Sequence, residues 1–231
     1  RISTYDPLTG ANKSRSLASN FASPEEWFDF KLEIDVYNKN KRDEEFCKVF
    51  AQKLGIEFFV LHADVPTIAK QSGESIETAA RRVRYDYFAK IMREQDIKIL
   101  ATAHNANDNL ETLIFNIARG SGLGGMCGIP DSRPTECGVV IRPILSMEKS
   151  EILEYCEKNS LDFVTDSTNL TDSCTRNRLR HGVTPILESI AGKDVPQRAA
   201  ARLAAAARED DEALTALAAE RYQAIENPCG G

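Results

Sequence analysis

Apolar residues recur at helical spacing in several stretches of the chain, and each stretch predicts a helix. From Arg42 onward, DEEFCKVFAQKLG keeps this spacing and stops at Gly55, a typical helix end. SIETAARRVRYDYFAKIMREQ places its apolar residues on one helical face, and NLETLIFNIA and SMEKSEILEYCEKNSL follow the same pattern. An alanine-rich stretch over residues 196–226 predicts a helix near the end of the chain.

Short apolar runs between these helices predict strands. The runs are LEIDV, IEFFVLHADV, IKILATA and, after a long loop, VVIRPIL. Because strands alternate with helices, the pattern predicts an α/β domain with a parallel sheet flanked by helices. We expect this domain over residues 41–190, an unassigned polar segment over residues 1–40, and a helical linker or extension over residues 191–231.

A polar segment separates the strand IKILATA from the next apolar helix. This segment is HNANDNLET, which runs from His104 to Thr112. In open α/β sheets, ligands bind beyond the carboxyl ends of the strands, so the junction is a candidate site. The helix that follows is also expected to offer free backbone N–H groups to an anion such as phosphate.

Two carboxylates in this segment have two interpretations. Asp108 and Glu111 are three residues apart on one helical face, where they could together hold a metal ion or a substrate ammonium. They also fit a capping box in which Asp108 caps the helix and Glu111 reaches back, an arrangement worth about 1 kcal/mol. Asn105, Asn107 and Asn109 suit a helix entry in either case, so spacing alone leaves both interpretations open.

The segment RGSGLGGMCGIPDSRPTECG, from Arg119 to Gly138, holds many of the 13 glycines of the chain. Such a segment can bring its backbone close to a phosphate or move as a lid. It can equally be a mobile connector, and the composition does not decide between these interpretations.

Charge and cysteine content narrow the function classes. A net charge of −6 disfavours indiscriminate nucleic-acid binding by the whole surface. No apolar run of about 18 residues predicts a membrane span, and no secretory signal is visible. The 6 cysteines are scattered without a CxxC pair, which favours free thiols in a reducing cytoplasm over a zinc site.

Basic residues nevertheless cluster in two places. Arg81, Arg82 and Arg84 lie on one predicted helix. A second cluster, TRNRLRH, spans residues 175–181. A charge run is usually a solvated helix face, but the two clusters together also fit a site for phosphates or RNA.

Four motifs in this order resemble the tRNA(Ile)-lysidine synthetase family of PP-loop ATP pyrophosphatases. They are AARRVRYDYF, TAHNANDNLETLIFNIARGSGLGGMCGIP, IRPIL and DSTNLTDSCTRNRLRH. The resemblance covers about residues 42–190 and implies an adenine-nucleotide-hydrolase-like, Rossmann-like α/β fold.

The resemblance implies a two-step ligation. ATP, accompanied by Mg²⁺, adenylylates the C2 oxygen of the wobble cytidine in tRNA(Ile) with a CAU anticodon. The ε-amine of free L-lysine then displaces AMP, and the product is lysidine. The resemblance further implies a cytoplasmic enzyme without a membrane partner, and it suggests a homodimer.

Matching the motifs residue by residue implies roles within this site. Asp108 and Glu111 would recognise the ammonium of lysine, and Arg84 and Arg176 would stabilise phosphate charge during adenylyl transfer. The residues implied for ATP binding are His104, Arg119 and Gly120. The residues implied for tRNA binding are Arg178, Arg180 and His181.

The chain departs from the family pattern at the ATP signature. An SGGxDS loop, whose backbone amides would cradle the pyrophosphate, occurs nowhere in the sequence. We therefore expect an incomplete member that preserves the lysine and tRNA side of the site and lacks the ATP loop and the carboxy-terminal tRNA-binding domains. The alternatives are a non-catalytic tRNA-binding remnant and a tRNA thiolase of the same superfamily, which would need paired cysteines.

Overall fold

The computed structural model describes residues 2–5, 12–15, 32–36, 41–163 and 175–226. The chain forms two compact units. Unit 1 comprises Arg1–Thr102, Ser132–Pro143 and Phe163–Asp166, and unit 2 comprises Ala103–Asp131, Ile144–Asp162 and Ser167–Gly231. The domain ranges expected from the sequence stay a prediction.

Unit 1 has an α/β architecture built from small sheets. Its strands are β1 (Ile2–Tyr5), β2 (Asn12–Arg15), β3 (Leu32–Val36), β4 (Phe58–His62), β5 (Ile99–Ala101), β6 (Ser132–Thr135) and β7 (Gly138–Ile141). Strand β1 pairs antiparallel with β2, β3 pairs parallel with β4, and β5 pairs parallel with β7. The α/β class and the parallel pairing predicted from the alternating pattern are confirmed.

The helices of unit 1 cover these strands. They are α1 (Lys41–Leu54), α2 (Val65–Ser72) and α3 (Ile76–Glu94). Helix α1 packs against β3 and β4 and ends at Gly55, whose φ of 69° is the left-handed conformation that glycine adopts without strain. Val65 and Ala69 of α2 are buried against Ala79 of α3, so two consecutive helices share one small apolar core.

Three strands of unit 1, β1, β2 and β6, were not predicted, and β4 is shorter than the predicted strand IEFFVLHADV because Asp64 caps α2. Ser132–Thr135, expected to be part of a long loop, forms β6 and pairs antiparallel with β7. Its residues are mostly exposed and polar, and it contains Pro134, which has no N–H to donate to a ladder. Because β6 lies at the edge of the order β5-β7-β6, the missing donor is tolerated, but the sequence gives no apolar strand signal.

Unit 2, over its described residues, consists of helices. They are α4 (Ala106–Ala118), α5 (Leu123–Met126), α6 (Lys149–Lys158), α7 (Thr175–Arg178), a π-helical turn (Leu179–Val183), α8 (Thr184–Ala191) and α9 (Val195–Glu226). The helices predicted over NLETLIFNIA, SMEKSEILEYCEKNSL and residues 196–226 are thus present. The motif DSTNLTDSC lies outside the described residues.

The core of unit 2 lies between α4 and α9. Leu110 and Leu113 of α4 pack against Ala200 and Ala204 of α9, whose small side chains allow the two helices to approach closely. Helices α5 and α8 also pack against α9. The carboxy-terminal helix, expected to be a linker or extension, therefore contributes its first half to the core that supports α4. No described helix is both long and apolar enough to cross a membrane.

Candidate functional site

Helix α4 starts with a capping box one turn earlier than the sequence suggested. Asn105 has the extended backbone of an N-cap, with φ −124° and ψ −176°, and its side-chain oxygen accepts from the backbone N of Asn107 at 2.9 Å and of Asp108 at 3.2 Å. The Asp108 carboxylate accepts in return from the Asn105 backbone N at 3.0 Å. The predicted box, with Asp108 as the cap and Glu111 reaching back, is therefore wrong in register.

The backbone amides at the start of α4 are already satisfied within the chain. Besides the two amides that Asn105 accepts, the N of Ala106 donates to the carbonyl of Met147 at 2.9 Å. The N of Asn109 donates to the carbonyl of Asn105 at 3.1 Å. The expectation that this helix end offers free N–H groups to a phosphate is therefore wrong, because capping has used them.

The other two asparagines of the segment each accept a hydrogen bond from the backbone of a different segment. The side-chain oxygen of Asn107 accepts from the backbone N of Lys149 at 3.0 Å, at the start of α6. Buried Asn109 accepts from the backbone N of Ile129 at 2.8 Å. The helix-entry interpretation of these residues holds only for Asn105, while Asn107 and Asn109 connect α4 to distant segments.

Glu111 lies at the centre of the candidate site, on the face of α4 that meets the π-helical turn. Its side chain is only 2% exposed, and both of its carboxylate oxygens accept from Arg180. The distances are 2.7 Å from Nε to Oε1 and 3.1 Å from Nη2 to Oε2, the two-pronged geometry of a strong arginine–carboxylate pair. Arg180 is 69 positions away in sequence, so no local pattern could have revealed this contact.

Asp108 shares the same arginine at a longer distance. Its Oδ1 lies 3.7 Å from Nη2 of Arg180, and its side chain is 20% exposed. Among the described residues, the cluster thus combines two carboxylates with one guanidinium, whose formal charges sum to −1. Because Glu111 is enclosed and fully engaged, the accessible part of this charge lies on Asp108.

The negative charge of the cluster suits a cation at Asp108. Within the described ranges, no group of three or more His, Cys, Asp or Glu side chains gathers where it could hold a metal. Any cation bound at Asp108 would share this carboxylate with the guanidinium of Arg180.

The basic segment approaches this cluster through an irregular helix. Arg176 and Arg178 lie on α7, and Arg180 and His181 lie on the π-helical turn that follows. Single π-helical turns occur frequently at functional sites because they widen the helix and redirect its side chains. Arg176 is half-buried and Arg178 is exposed, and in the described part of the chain neither forms an ion pair with a carboxylate.

The structure does not gather the three residues implied for ATP. His104 precedes α4, whereas Arg119 and Gly120 follow its last residue. A helix of 13 residues is about 20 Å long, so these residues lie at opposite ends of it. The Arg119 guanidinium lies over the ring of Phe115 at 5.1 Å. Arg84 lies exposed on α3, in unit 1.

The glycine-rich segment is fastened to its neighbours along part of its length. Asn116 of α4 donates to the carbonyl of Gly125 at 2.7 Å, and Arg208 of α9 donates to the carbonyl of Cys127 at 2.9 Å. Gly128 has φ 64°, and a Cβ there would overlap the side-chain oxygen of Asn109. This part of the segment is therefore packed in place, which neither the lid nor the connector interpretation predicted.

Comparison with known proteins places the chain in a family. The PP-loop domain family ATP_bind_3 matches residues 25–187. The chain is 40% identical over 152 residues to the tRNA(Ile)-lysidine synthase of Bacteroides thetaiotaomicron, covering 66% of this chain and 35% of that protein. It is 36% identical over 188 residues to the tRNA(Ile)-lysidine synthase of Thermosipho africanus, covering 79% of this chain and 43% of that protein.

A third relative agrees with this assignment, and one solved structure shares the fold. The tRNA(Ile)-lysidine synthase of Clostridium acetobutylicum is 36% identical over 188 residues, covering 81% of this chain and 40% of that protein. The chain thus spans 35% to 43% of the length of these relatives. The U34-tRNA thiolase NcsA from Methanococcus maripaludis, solved with its [4Fe-4S] cluster, has a similar fold, with a TM-score of 0.58 at 16% identity over 74% of this chain and 60% of the thiolase. With the family match and the relatives at 36% to 40% identity, the chain belongs to the tRNA(Ile)-lysidine synthetase family of the PP-loop superfamily.

Proposed function

We propose that this chain carries the lysine-recognising part of a tRNA(Ile)-lysidine synthetase. Such a ligase joins free L-lysine to C2 of the wobble cytidine of tRNA(Ile) with a CAU anticodon and consumes ATP. The observation that carries the proposal is the Asp108, Glu111 and Arg180 cluster, which is built from distant segments and retains one accessible negative charge.

Asp108 would hold the ammonium of the substrate. Its Oδ2 is used by the helix cap, whereas its Oδ1 lies 3.7 Å from Arg180. An ammonium bound at Oδ1 would complete the charge balance and fix the direction of the lysine side chain. The same oxygen is a nearby acceptor for the proton that the amine must lose before it attacks, so Asp108 would orient the nucleophile.

Glu111 and Arg180 would set the position of Asp108. The bidentate pair joins α4 to the π-helical turn and places the arginine beside the Asp108 carboxylate. While Arg180 holds Glu111, it contributes less to RNA binding than Arg178, which has no ion pair in the described chain. Arg178 and His181 would therefore contact tRNA, and Arg84 and Arg176 would stabilise phosphate charge, as the resemblance implies.

The proposed reaction consumes ATP as a co-substrate, with Mg²⁺ as the cofactor that accompanies it. The residues of this chain do not fit a phosphate cradle. The sequence contains no SGGxDS loop, the amides at the start of α4 are engaged, and the residues implied for ATP are split between the two ends of that helix. The proposal therefore depends on the lysine side of the site, and the homodimer remains a prediction.

A tRNA thiolase is a second candidate because the solved thiolase shares the fold. That thiolase was solved with a [4Fe-4S] cluster, which requires grouped cysteine ligands. The sequence has no CxxC pair, and the four described cysteines are free thiols. Lysidine synthesis is the better supported function, and a non-catalytic tRNA-binding protein is the remaining alternative.

A chimeric enzyme tests the proposal. Residues 42–190 replace the matching segment of the Thermosipho africanus lysidine synthase, and lysidine formation is measured with ATP, lysine and a CAU-anticodon tRNA(Ile) transcript. We expect the chimera to be active and Asp108→Asn to lower lysine transfer roughly 100-fold, because a neutral amide does not neutralise an ammonium. The substituted side chain still accepts from the Asn105 backbone, so stability should change by less than about 1 kcal/mol.

Glu154→Gln serves as the matched control, since Glu154 is an exposed carboxylate of unit 2 on α6. Its transfer rate should equal that of the parent chimera. If Asp108→Asn retained full transfer and changed only stability, the carboxylate would be a helix cap alone and the proposal would fail. A folded chimera that adenylylates tRNA yet never transfers lysine would also contradict it.

A further inference from the structure

Three arginines of unit 1 converge on one tyrosine. Arg81 lies one turn before Tyr85 on α3, Arg133 lies on β6, and Arg142 follows the last residue of β7. The guanidinium carbon of Arg81 is 4.9 Å from the centre of the Tyr85 ring, and that of Arg133 is 5.5 Å from it. Residues far apart in sequence thus concentrate positive charge around a single aromatic ring.

The ring and the third arginine form the fixed base of this cluster. Tyr85 is half-buried and packs edge-to-face on Phe88, with centroids 5.6 Å apart and an interplanar angle of 75°. Arg142 is buried and interacts electrostatically with Tyr85. Burial lowers the pKa of the Arg142 guanidinium below its usual value, and the charges of Arg133 and Arg81 lower it further, whereas Tyr85 acts in the opposite direction.

The two exposed arginines lack the carboxylate partner that a neighbouring arginine has. Arg82, the next residue on α3, is paired with Glu74 at 2.8 Å and lies 3.9 Å from Asp86. Neither Arg81 nor Arg133 forms an ion pair within the described ranges, although the whole chain has more acidic than basic residues. Because like charges repel, this cluster is most stable with an anion bound.

The geometry selects phosphate as that anion. A guanidinium that stacks on an aromatic ring keeps its in-plane N–H groups free, and their fork matches two phosphate oxygens. Arg81 and Arg133 are exposed side chains of a helix and an edge strand rather than the lining of a cleft. An open surface of this kind suits the backbone of a nucleic acid better than an enclosed small ligand.

We propose that Arg81, Arg133 and Tyr85 form a binding site for a phosphodiester group of the tRNA backbone. The identity of the RNA as tRNA rests on the proposed function, whereas phosphate recognition rests on the cluster itself. Arg142 contributes to the site by adding a buried positive charge next to the ring of Tyr85.

Binding of tRNA to the 231-residue chain, measured by fluorescence anisotropy at several salt concentrations, tests the proposal. Arg81→Ala and Arg133→Ala should each weaken binding about fivefold at 100 mM salt and reduce the salt slope by about one. Arg82→Ala is the matched control on the same helix. It should have little effect, because Glu74 already neutralises that guanidinium.

Substitutions of Tyr85 distinguish the contribution of its aromatic ring, the platform on which the arginines stack, from that of the arginine charges. Tyr85→Phe keeps the stacking ring and should bind tRNA nearly as well as the parent chain. Tyr85→Leu keeps the net charge but removes the platform, so affinity should fall with little change in salt slope. Circular dichroism checks that each variant is folded. If Tyr85→Leu is unfolded, the tRNA affinities of Arg81→Ala and Arg133→Ala test the proposal.

A fluorescent ATP analogue identifies the source of the phosphate. Because the described residues form no phosphate cradle for ATP, we expect the parent chain, Arg81→Ala and Arg133→Ala all to bind the analogue equally weakly. Loss of ATP binding with intact tRNA binding would overturn the proposal, as would equal losses in all three arginine variants or no tRNA binding by the parent chain. These outcomes are separate from lysine transfer in the chimera, so either proposal can fail without the other.

Discussion

Asp108 shows how one side chain can satisfy both interpretations of a sequence pattern. One of its oxygens completes the cap of α4, and the other lies beside Arg180 in the charged cluster. The capping and binding interpretations, which spacing alone could not separate, therefore apply to different oxygens of the same carboxylate. Glu111 has no part in the cap, and its burial is balanced by a long-range ion pair.

The Glu111–Arg180 pair should be strongly coupled in stability. Replacing Arg180 removes the guanidinium that buried Glu111 binds, so Arg180→Met should destabilise the chain by about 3 kcal/mol. Replacing Glu111 leaves Arg180 with its longer contact to Asp108, so Glu111→Gln should destabilise the chain less than Arg180→Met does. The double variant should cost less than the sum of the two, with a coupling energy of roughly 1 to 3 kcal/mol. Urea unfolding followed by circular dichroism measures all three variants.

The exposed pair Lys158–Glu154, four residues apart on α6, is the control for this cycle. Solvent screens it, so its coupling should be close to zero. If the Glu111–Arg180 cycle were equally weak, the contact would not hold α4 to the π-helical turn, and the positioning role of Arg180 would be lost.

At the scale of elements, apolar periodicity was sufficient for the longer helices and insufficient for the shorter helices, such as α2 and α8, and for the edge strand. Helices α1, α3, α4 and α6 were predicted because each repeats apolar residues over several turns. Strand β6 was missed because its four residues, SRPT, are held by backbone pairing at the sheet edge and not by apolar burial. The cap register was missed because three closely spaced candidates, Asn105, Asn107 and Asp108, all suit a helix entry.

From the sequence, the candidate site was predictable only for residues that lie close together in the chain. Asp108 and Glu111 share a face because they are three residues apart, which the sequence states directly. The arginine that binds them and the arginines around Tyr85 come from elements that meet only in the folded chain. The glycine-rich segment shows the same limit, because Asn116 and Arg208 fix it from two helices.

Truncation of α9 should separate its packed half from its exposed half. Ala200, Ala204 and Ala207 are buried, whereas Leu214 and Leu217 are 57% and 54% exposed. The free energy of unfolding of a chain ending after residue 212 should therefore lie within about 1 kcal/mol of that of the parent chain, since this variant loses mainly exposed surface. A chain ending after residue 194 loses the partners of Leu110 and Leu113, and α4 should lose its folded packing.

Urea unfolding and hydrogen exchange of α4 amides check both truncations. Protection of α4 should persist in the longer variant and disappear in the shorter one. Equal protection in both would show that α4 is stable without α9. The first half of α9 would then be an extension after all.

For the whole molecule, the family assignment rests on the sequence relatives, whereas the solved thiolase supports the fold alone. The relatives at 36% to 40% identity are named lysidine synthases, whereas the solved thiolase at 16% identity shares only the fold. A fold of this superfamily accommodates more than one chemistry at tRNA, so the fold alone cannot choose between ligation and thiolation. The choice depends on side chains, and our proposal of ligation rests on the carboxylate cluster.

Attempted reconstitution of an iron–sulfur cluster tests this choice on the whole chain. A cluster needs several thiolates in one place, and in the described part of the chain no group of three metal-binding side chains exists. Burial raises the pKa of the Cys47 thiol, and the negative charge of Asp43 raises it further, so the thiolate that iron requires is disfavoured there. After anaerobic incubation with iron and sulfide and then desalting, we expect no stable absorbance near 400 nm. The thiolase from Methanococcus maripaludis, treated in parallel, is the positive control. Stoichiometric cluster formation in this chain would contradict the prediction and would favour thiolation over lysidine synthesis, because cysteines beyond the described ranges would then have to complete a cluster site.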